Sequence, residues 1–327
     1  MTELPMPETV DRPLHVRRKA TPRWVGYLLI GLVGLVIGAT LLWAISLLAG
    51  IQWKPKKVVV VQLESAFTQA PLSDLENGTV TLIEDSDLGT LRLQQDGRLG
   101  RNPLGGVTPP EDGSLFAPTV EGYRVLQGID VSEWQGEIDW YAVAEDGVDF
   151  AILRCGYRGA NNGDLYVDPT FYDNYRGAKK AGLAVGVYFY SQALGRDEGI
   201  EEAEFVLGLL DGMELDLPVF FDWEWYGEGS RSENLPSSNL NNAAKHFLRT
   251  VTEGGYQAGL YAYKYLAYMQ YDLPAYADYP FWLAEYGSAE FYYGYTFLQY
   301  TDEGNVDGIY GYVDRNLMIV KETKKVH

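Results

Sequence analysis

Two carboxylates separated by one residue are the strongest chemical signal in this chain. Asp222 and Glu224 end an apolar run that begins at Pro218. Because side chains alternate along a strand, both project to the same side, with Cα atoms about 7 Å apart. Two like charges this close should raise the pKa of one carboxyl group, as a general acid requires. The same pair could also be part of a solvated loop or a Ca²⁺ or Mg²⁺ site.

The scarcity of histidine and cysteine narrows the possible chemistry. The 327 residues include one cysteine, Cys155, and three histidines, His15, His246 and His327. No intramolecular disulfide can form, and no His/Cys zinc cluster can be assembled. A Ser-His-Asp or Cys-His catalyst would have to use His246. We therefore predict carboxylate chemistry, with no metal and no cofactor. The net charge of −19 argues against a nucleic-acid partner.

The elements that would position these carboxylates begin near residue 128, where short apolar runs alternate with helical stretches. Helices are predicted over Pro169–Ala181, Asp197–Gly212 and Leu240–Gly254. Eight strands separated by helices predict an α/β fold, a (β/α) TIM-like barrel with reduced later helices, although an open doubly wound sheet fits the same alternation. The eight predicted strands are Gly128–Val131, Phe150–Arg154, Ala184–Tyr190, Pro218–Trp223, Gln257–Tyr261, Phe281–Ala284, Phe297–Tyr300 and Val313–Met318.

Functional groups in barrels of this kind collect at the carboxyl ends of the strands. Asp222 and Glu224 end the fourth predicted strand, and Asp130 stands near the end of the first. Arg154 ends the second strand, where an arginine can contact substrate or neutralise acidic neighbours. The sequence thus predicts an acidic site at one end of the barrel.

The N-terminal region predicts a membrane anchor. Residues 24–53 contain no charge, and Tyr27–Gly50 would form a helix of about 36 Å, enough to span a bilayer core of about 30 Å. The apolar region of a cleaved signal peptide is shorter, about 7–15 residues. Basic residues on the N-terminal side favour a single-pass protein in the cell membrane with its N-terminus in the cytoplasm. The predicted organisation is a cytoplasmic tail (1–23), an anchor (24–53), an extracytoplasmic stalk or small β element (54–124) and an extracytoplasmic catalytic barrel (125–327).

An ordered series of motifs resembles the glycoside hydrolase family 25 muramidases over residues 128–320. Each motif coincides with a predicted strand or its flanks, and the series runs in the family's order. The motifs are Gly128–Gly136 with Ile138–Trp140, Phe150–Gly159, Gly186–Gln192, Pro218–Glu224, Trp282–Tyr286, Leu298–Tyr300 and Gly311–Asn316.

The resemblance implies cleavage of the β-1,4 bond between N-acetylmuramic acid and N-acetylglucosamine, with peptidoglycan glycan strands as the partner. It implies that Glu224 is the general acid and that Asp222 orients the substrate acetamido group or stabilises positive charge. Asp130 and Asp314 would complete an acidic floor suited to an oxocarbenium-like transition state. The nucleophile, either the sugar's own N-acetyl group or a carboxylate, is left open.

The resemblance also suggests residues that bind the substrate. The aromatic candidates are Tyr188, Trp282 and Tyr286, each of which could instead be barrel packing. Arg154 and Gln299 are the polar candidates.

Two other functions fit the same residues. The first is a catalytically inactive module that binds peptidoglycan within an envelope complex. The second is a chitinase-like hydrolase of another N-acetylhexosamine polymer, which usually carries a longer run of alternating acids than Pro218–Phe221 supplies. Tethering to the membrane favours wall remodelling over free lysis.

Overall fold

The structure is a computed structural model that describes residues 79–105, 107–110 and 114–322. The predicted tail, the predicted anchor and the first part of the predicted stalk lie outside these residues. Within the described ranges, no helix has both the length and the apolar character needed to cross a membrane.

Eleven strands are present in the described residues. Eight of them coincide with the eight strands predicted from the sequence, and those predictions are confirmed. In chain order the strands are β1 (Val80–Asp85), β2 (Gly89–Gln94), β3 (Tyr123–Val131), β4 (Phe150–Arg158), β5 (Leu165–Val167), β6 (Ala184–Ser191), β7 (Val219–Trp223), β8 (Ala258–Tyr263), β9 (Phe281–Ala284), β10 (Phe297–Gly304) and β11 (Val313–Lys321).

The sheet closes into a barrel, which decides against the open doubly wound alternative. Strands β3, β4, β6, β7, β8, β9 and β10 pair in that order and run parallel. Strand β11 closes the barrel, and it runs antiparallel to both β10 and β3. A regular (β/α) barrel has eight parallel strands, and this barrel departs from that arrangement at β11. The chain reaches β11 from β10 through a short connection without a crossover helix, so an antiparallel pairing results.

The helices follow the predicted pattern on the outside of the barrel. They are α1 (Trp140–Glu145), α2 (Phe171–Ala181), α3 (Arg196–Leu210), α4 (Ser237–Glu253) and α5 (Lys264–Met269), with short 3₁₀ turns at Glu133–Gln135 and Leu273–Tyr276. The three predicted helices correspond to α2, α3 and α4. In the described residues after β8, the only helices are one of six residues and a 3₁₀ turn, so the prediction of reduced later helices is confirmed.

The barrel interior is filled below the site by aromatic side chains. Phe150, Phe220 and Phe297 make edge-to-face contacts with ring centroids 5.2 and 5.8 Å apart. Trp282 packs on Phe220 at 5.1 Å. Their strand neighbours face outward into the larger core beneath the helices. Because this packed layer excludes water, the polar groups above it lie on a rigid, apolar floor.

The described part of the predicted stalk is packed against the barrel. Strands β1 and β2 pair as an antiparallel hairpin, and Leu91 and Leu93 are buried in the same core as the barrel helices. The Asn102 amide donates a hydrogen bond to the carbonyl of Ala289 at 2.7 Å. Phe116 is also buried in this core. The hairpin and the segment after it are therefore part of the folded catalytic unit.

Candidate active site

Four carboxylates cluster at one end of the barrel and, together with Asp302, line a cavity of about 290 Å³. Asp130 lies at the end of β3, Asp222 in β7, Glu224 directly after β7, and Asp314 at the start of β11. Asp314 is the cross-strand neighbour of Asp130. Because β11 is antiparallel, its amino end lies beside the carboxyl ends of the parallel strands. The structure thus brings together all four acids that the sequence analysis selected.

Asp130 is held in one orientation by two side-chain amides. Gln299 Nε2 donates to its Oδ2 at 2.8 Å, and Asn316 Nδ2 donates to the same oxygen at 2.7 Å. Trp282 Nε1 donates to Asn316 Oδ1 at 2.8 Å, which fixes the direction of that amide. Burial raises the pKa of Asp130 to about 6, the two amides oppose this rise, and the charge of Glu224 adds to it.

Glu224 is partly exposed to the cavity and accepts a hydrogen bond from the Tyr261 hydroxyl at 3.1 Å. Burial raises the pKa of Glu224, and the Tyr261 hydrogen bond opposes that rise. The same hydroxyl lies 3.2 Å from Gln299 Oε1, which also accepts from the Tyr286 hydroxyl at 2.8 Å. One hydrogen-bond network therefore connects Glu224 to the amide that holds Asp130.

Asp222 and Asp314 lie in environments that favour their neutral forms. Burial, followed by the charges of Glu224 and Asp130, raises the pKa of Asp222 well above its ordinary value. Burial, followed by Asp130 and Asp302, raises the pKa of Asp314 to about 9. The sequence argument attributed raised pKa values to like charges, whereas the largest cause for every member of the cluster is loss of water.

The predicted aromatic candidates differ in their exposure. Tyr188, Trp282 and Tyr286 all line the cavity. The Trp282 side chain is only 1% exposed and packs against Tyr261 with ring centroids 4.7 Å apart. This burial favours the alternative that Trp282 is part of the barrel packing and does not bind the sugar directly. Tyr286 is 47% exposed, so it presents a ring that a sugar can reach.

The predicted polar candidates are engaged with protein groups. Arg154 lies in the cavity wall, where its Nε donates to Asp168 and its Nη2 donates to Glu133, both at 2.8 Å. It neutralises these two carboxylates, and its charge also opposes the rise in the pKa of Asp222. Gln299 is buried and joins the tyrosine hydroxyls to Asp130. Both side chains shape the site through their neighbours.

Sequence reasoning missed Tyr261 and Asn316 as members of the site. A signal was available for Asn316, because it follows Asp314 by two residues on one strand and therefore faces the same side. Tyr261 carried no comparable signal, since it is one tyrosine among 25. In the part of the chain that the structure describes, no group of three or more His, Cys, Asp or Glu side chains could hold a metal ion.

An eight-stranded barrel with clustered carboxylates above an apolar floor is an arrangement suited to a glycoside hydrolase that uses paired acids. The family model for glycosyl hydrolases family 25 matches residues 129–309, which is more than half of the chain. The chain belongs to this family. The resemblance inferred from the motifs is confirmed, and so is the predicted enzyme class at the level of the family.

Two relatives of the chain are lysozymes. The autolytic lysozyme of Clostridium acetobutylicum is 32% identical over 192 residues, which is 58% of this chain and 54% of that protein. Lysozyme M1 of Streptomyces globisporus is 28% identical over 211 residues, covering 58% of this chain and 67% of that protein. The chain thus spans about half the length of the first relative.

Solved structures share the fold. The modular autolysin LytC of Streptococcus pneumoniae superposes with a TM-score of 0.54 at 24% identity, covering 73% of this chain and 56% of that chain. A family 25 glycosyl hydrolase of Bacillus anthracis has a TM-score of 0.51 at 24% identity, covering 64% of this chain and 94% of that chain. These similarities show that the chain shares the barrel fold of these two proteins.

Proposed function

We propose that this protein is a muramidase that hydrolyses the β-1,4 bond between N-acetylmuramic acid and N-acetylglucosamine in peptidoglycan. The observation that carries the proposal is the environment of Glu224. Glu224 is a partly exposed carboxyl group with a raised pKa. It accepts a hydrogen bond from one tyrosine hydroxyl and lies beside a second, buried acid, Asp222. Membership of the family and similarity to named lysozymes support the substrate.

The geometry supports a division of roles between the two acids of β7. Glu224 donates its proton to the glycosidic oxygen as the bond to the leaving sugar breaks, because burial raises its pKa and so keeps the proton bound at higher pH than in an ordinary carboxyl group. Among the described residues, Asp222 Oδ1 is buried without a hydrogen-bond partner. A buried polar atom is costly unless it is paired. The acetamido group of the bound sugar would supply that partner.

With its acetamido group held by Asp222, the sugar would attack its own anomeric carbon through the carbonyl oxygen. Water then opens the resulting oxazolinium ion, and Glu224, now ionised, accepts the water's proton. This route predicts retention of configuration at the anomeric carbon. NMR detection of the anomer released first tests it, and initial release of the inverted anomer would exclude it.

The function is tested by incubating the purified chain with peptidoglycan and identifying the sugar at each newly formed reducing end. We expect N-acetylmuramic acid ends, and no new ends with Glu224→Gln. Glu228→Gln is the matched control, because Glu228 lies exposed on the same loop and does not line the cavity. New N-acetylglucosamine ends would identify a different glycosidase. Binding to the wall without any new ends would identify the inactive binding module.

We also propose that residues 24–53 anchor the protein in the cell membrane, with the barrel outside the cell. The uncharged stretch and the basic residues before it support this placement. Tethering would confine hydrolysis to wall within reach of the membrane, which suits remodelling. Deletion of residues 24–53 should move the protein from the membrane fraction to the soluble fraction. Protection of the barrel from external protease in intact spheroplasts would contradict the orientation.

A further inference from the structure

A second cavity, of about 380 Å³, adjoins the acidic cavity at Glu224. The two cavities share Glu224, Tyr261 and Tyr286. They therefore form one cleft that extends to both sides of the general acid. Part of the second cavity's wall comes from Asp87, which lies in the turn between β1 and β2. Its other lining residues are Tyr263, Lys264, Tyr265, Ala284 and Glu285.

The turn that carries Asp87 is anchored by local and long-range contacts. Asp85 Oδ1 accepts hydrogen bonds from the backbone N–H groups of Asp87 and Leu88 at 2.9 and 3.0 Å. Gly89 follows with a φ of 73°, which favours glycine. Ser86 Oγ donates to Glu290 Oε2 at 3.2 Å. Asp87 is therefore held in place before any ligand arrives, which lowers the entropy lost on binding.

Lys264 joins the hairpin to the barrel in the wall of this second cavity. Its Nζ lies 2.6 Å from Asp87, 3.3 Å from Asp85 and 3.6 Å from Glu285. The Asp85 and Glu285 side chains are buried, whereas the Asp87 side chain is 68% exposed. Asp87 thus presents a fixed carboxylate to the cleft, and carboxylates are strong acceptors for hydroxyl groups.

Aromatic rings complete the second cavity. Tyr265 and Tyr286 are 40% and 47% exposed, and both line the cavity with Asp87. An aromatic ring can stack on the apolar face of a pyranose, and a fixed carboxylate beside it can accept hydrogen bonds from the sugar's hydroxyl groups. This combination is suited to an amino-sugar unit. The hairpin lies outside residues 129–309, the part of the chain that matches the family.

We propose that the β1–β2 hairpin forms one wall of the glycan cleft and that Asp87, held by Lys264, hydrogen-bonds the hydroxyl groups of an N-acetylhexosamine unit beside the cleaved bond. This inference rests on the proposed function. It assigns part of the substrate specificity to a segment that precedes the barrel and that the sequence predicted to be a stalk.

The test measures kcat and KM of the full chain on glycan strands stripped of their peptides. Asp87→Ala should raise KM about tenfold or more with kcat unchanged, which corresponds to the loss of one charge-assisted hydrogen bond. Asp87→Asn, which keeps an acceptor oxygen, should recover part of the loss. Glu84→Ala is the matched control, because Glu84 is exposed on β1, bonds Thr90 and does not line the cavity. It should leave KM unchanged.

The outcomes separate this inference from the proposed function. If the wild-type chain is active and Glu224→Gln is not, equal KM values for Asp87→Ala and Glu84→Ala overturn the hairpin inference alone. A fall in kcat at constant KM in Asp87→Ala also overturns it, because the effect would then act through Glu224. If the wild-type chain neither hydrolyses nor binds the strands, both proposals fail. Thermal melting of each variant confirms that it is folded.

Discussion

Replacement of Tyr261 by phenylalanine tests how the protein sets the pKa of Glu224. The substitution removes one hydroxyl, and it keeps the ring that packs 4.7 Å from Trp282. That hydroxyl donates to Glu224 and lowers the pKa of its carboxyl group. The pKa of Glu224 should therefore rise in the variant. A general acid is active when protonated, so the alkaline limb of the pH–rate profile should move to higher pH.

The size of this shift follows from the hydrogen bonds. A hydrogen bond to a charged group contributes about 1.5–3 kcal/mol, and one pKa unit corresponds to about 1.4 kcal/mol. The single hydroxyl proton of Tyr261 is shared between Glu224 at 3.1 Å and Gln299 at 3.2 Å. If half of the interaction belongs to Glu224, the alkaline limb should move by about 0.5–1 pH unit. Gln299 keeps its hydrogen bond from Tyr286.

The assay is the pH dependence of kcat/KM on soluble peptidoglycan fragments. This dependence reports the pKa values of the essential acid and base in the free enzyme. Tyr263→Phe is the matched control, because Tyr263 also lines the cleft but its hydroxyl contacts the backbone of Trp225. Its alkaline limb should stay within experimental error of the wild type. An alkaline limb of Tyr261→Phe that is unmoved, or that moves to lower pH, would refute the assignment of this hydrogen bond to Glu224.

Two further predictions concern stability. Gly199→Ala should destabilise the fold by about 1–3 kcal/mol, because its Cβ would lie 2.4 Å from the Ala243 carbonyl oxygen where α3 meets α4. Gly208→Ala in the same helix meets nothing within 4 Å and should stabilise by about 0.5–1 kcal/mol. Asp314→Asn should gain stability relative to the wild type as pH rises from 4 to about 9. Folding raises the pKa of Asp314 from 3.8 to about 9, so wild-type stability falls through that window.

Denaturant unfolding measures the two glycine variants, and thermal melting across the pH range measures Asp314→Asn. Equal stabilities of Gly199→Ala and Gly208→Ala would contradict the close approach of α3 and α4. A stability difference between Asp314→Asn and the wild type that stays constant from pH 4 to 9 would show that the Asp314 carboxyl group ionises as readily in the folded as in the unfolded chain.

Local sequence patterns were sufficient to predict the eight barrel strands, the three main helices and the positions of Asp130, Asp222 and Glu224. Alternation along one strand placed Asp222 and Glu224 beside each other, because a strand's side-chain period of two does not depend on its neighbours. Apolar runs of four to seven residues predicted the strands for the same reason. The resemblance to the family added Asp314 to these positions. The roles of these acids in catalysis remain predictions.

Tertiary structure alone decided the direction of β11, the network around Asp130 and the place of the hairpin. Asn316 and Gln299 meet Asp130 across more than 160 residues of chain, and no local periodicity encodes such a contact. Burial, which depends on every surrounding element, raised the pKa values that like charge alone was expected to raise. The sequence by itself determined which acids could act, and packing determined their protonation and which segments enclose them.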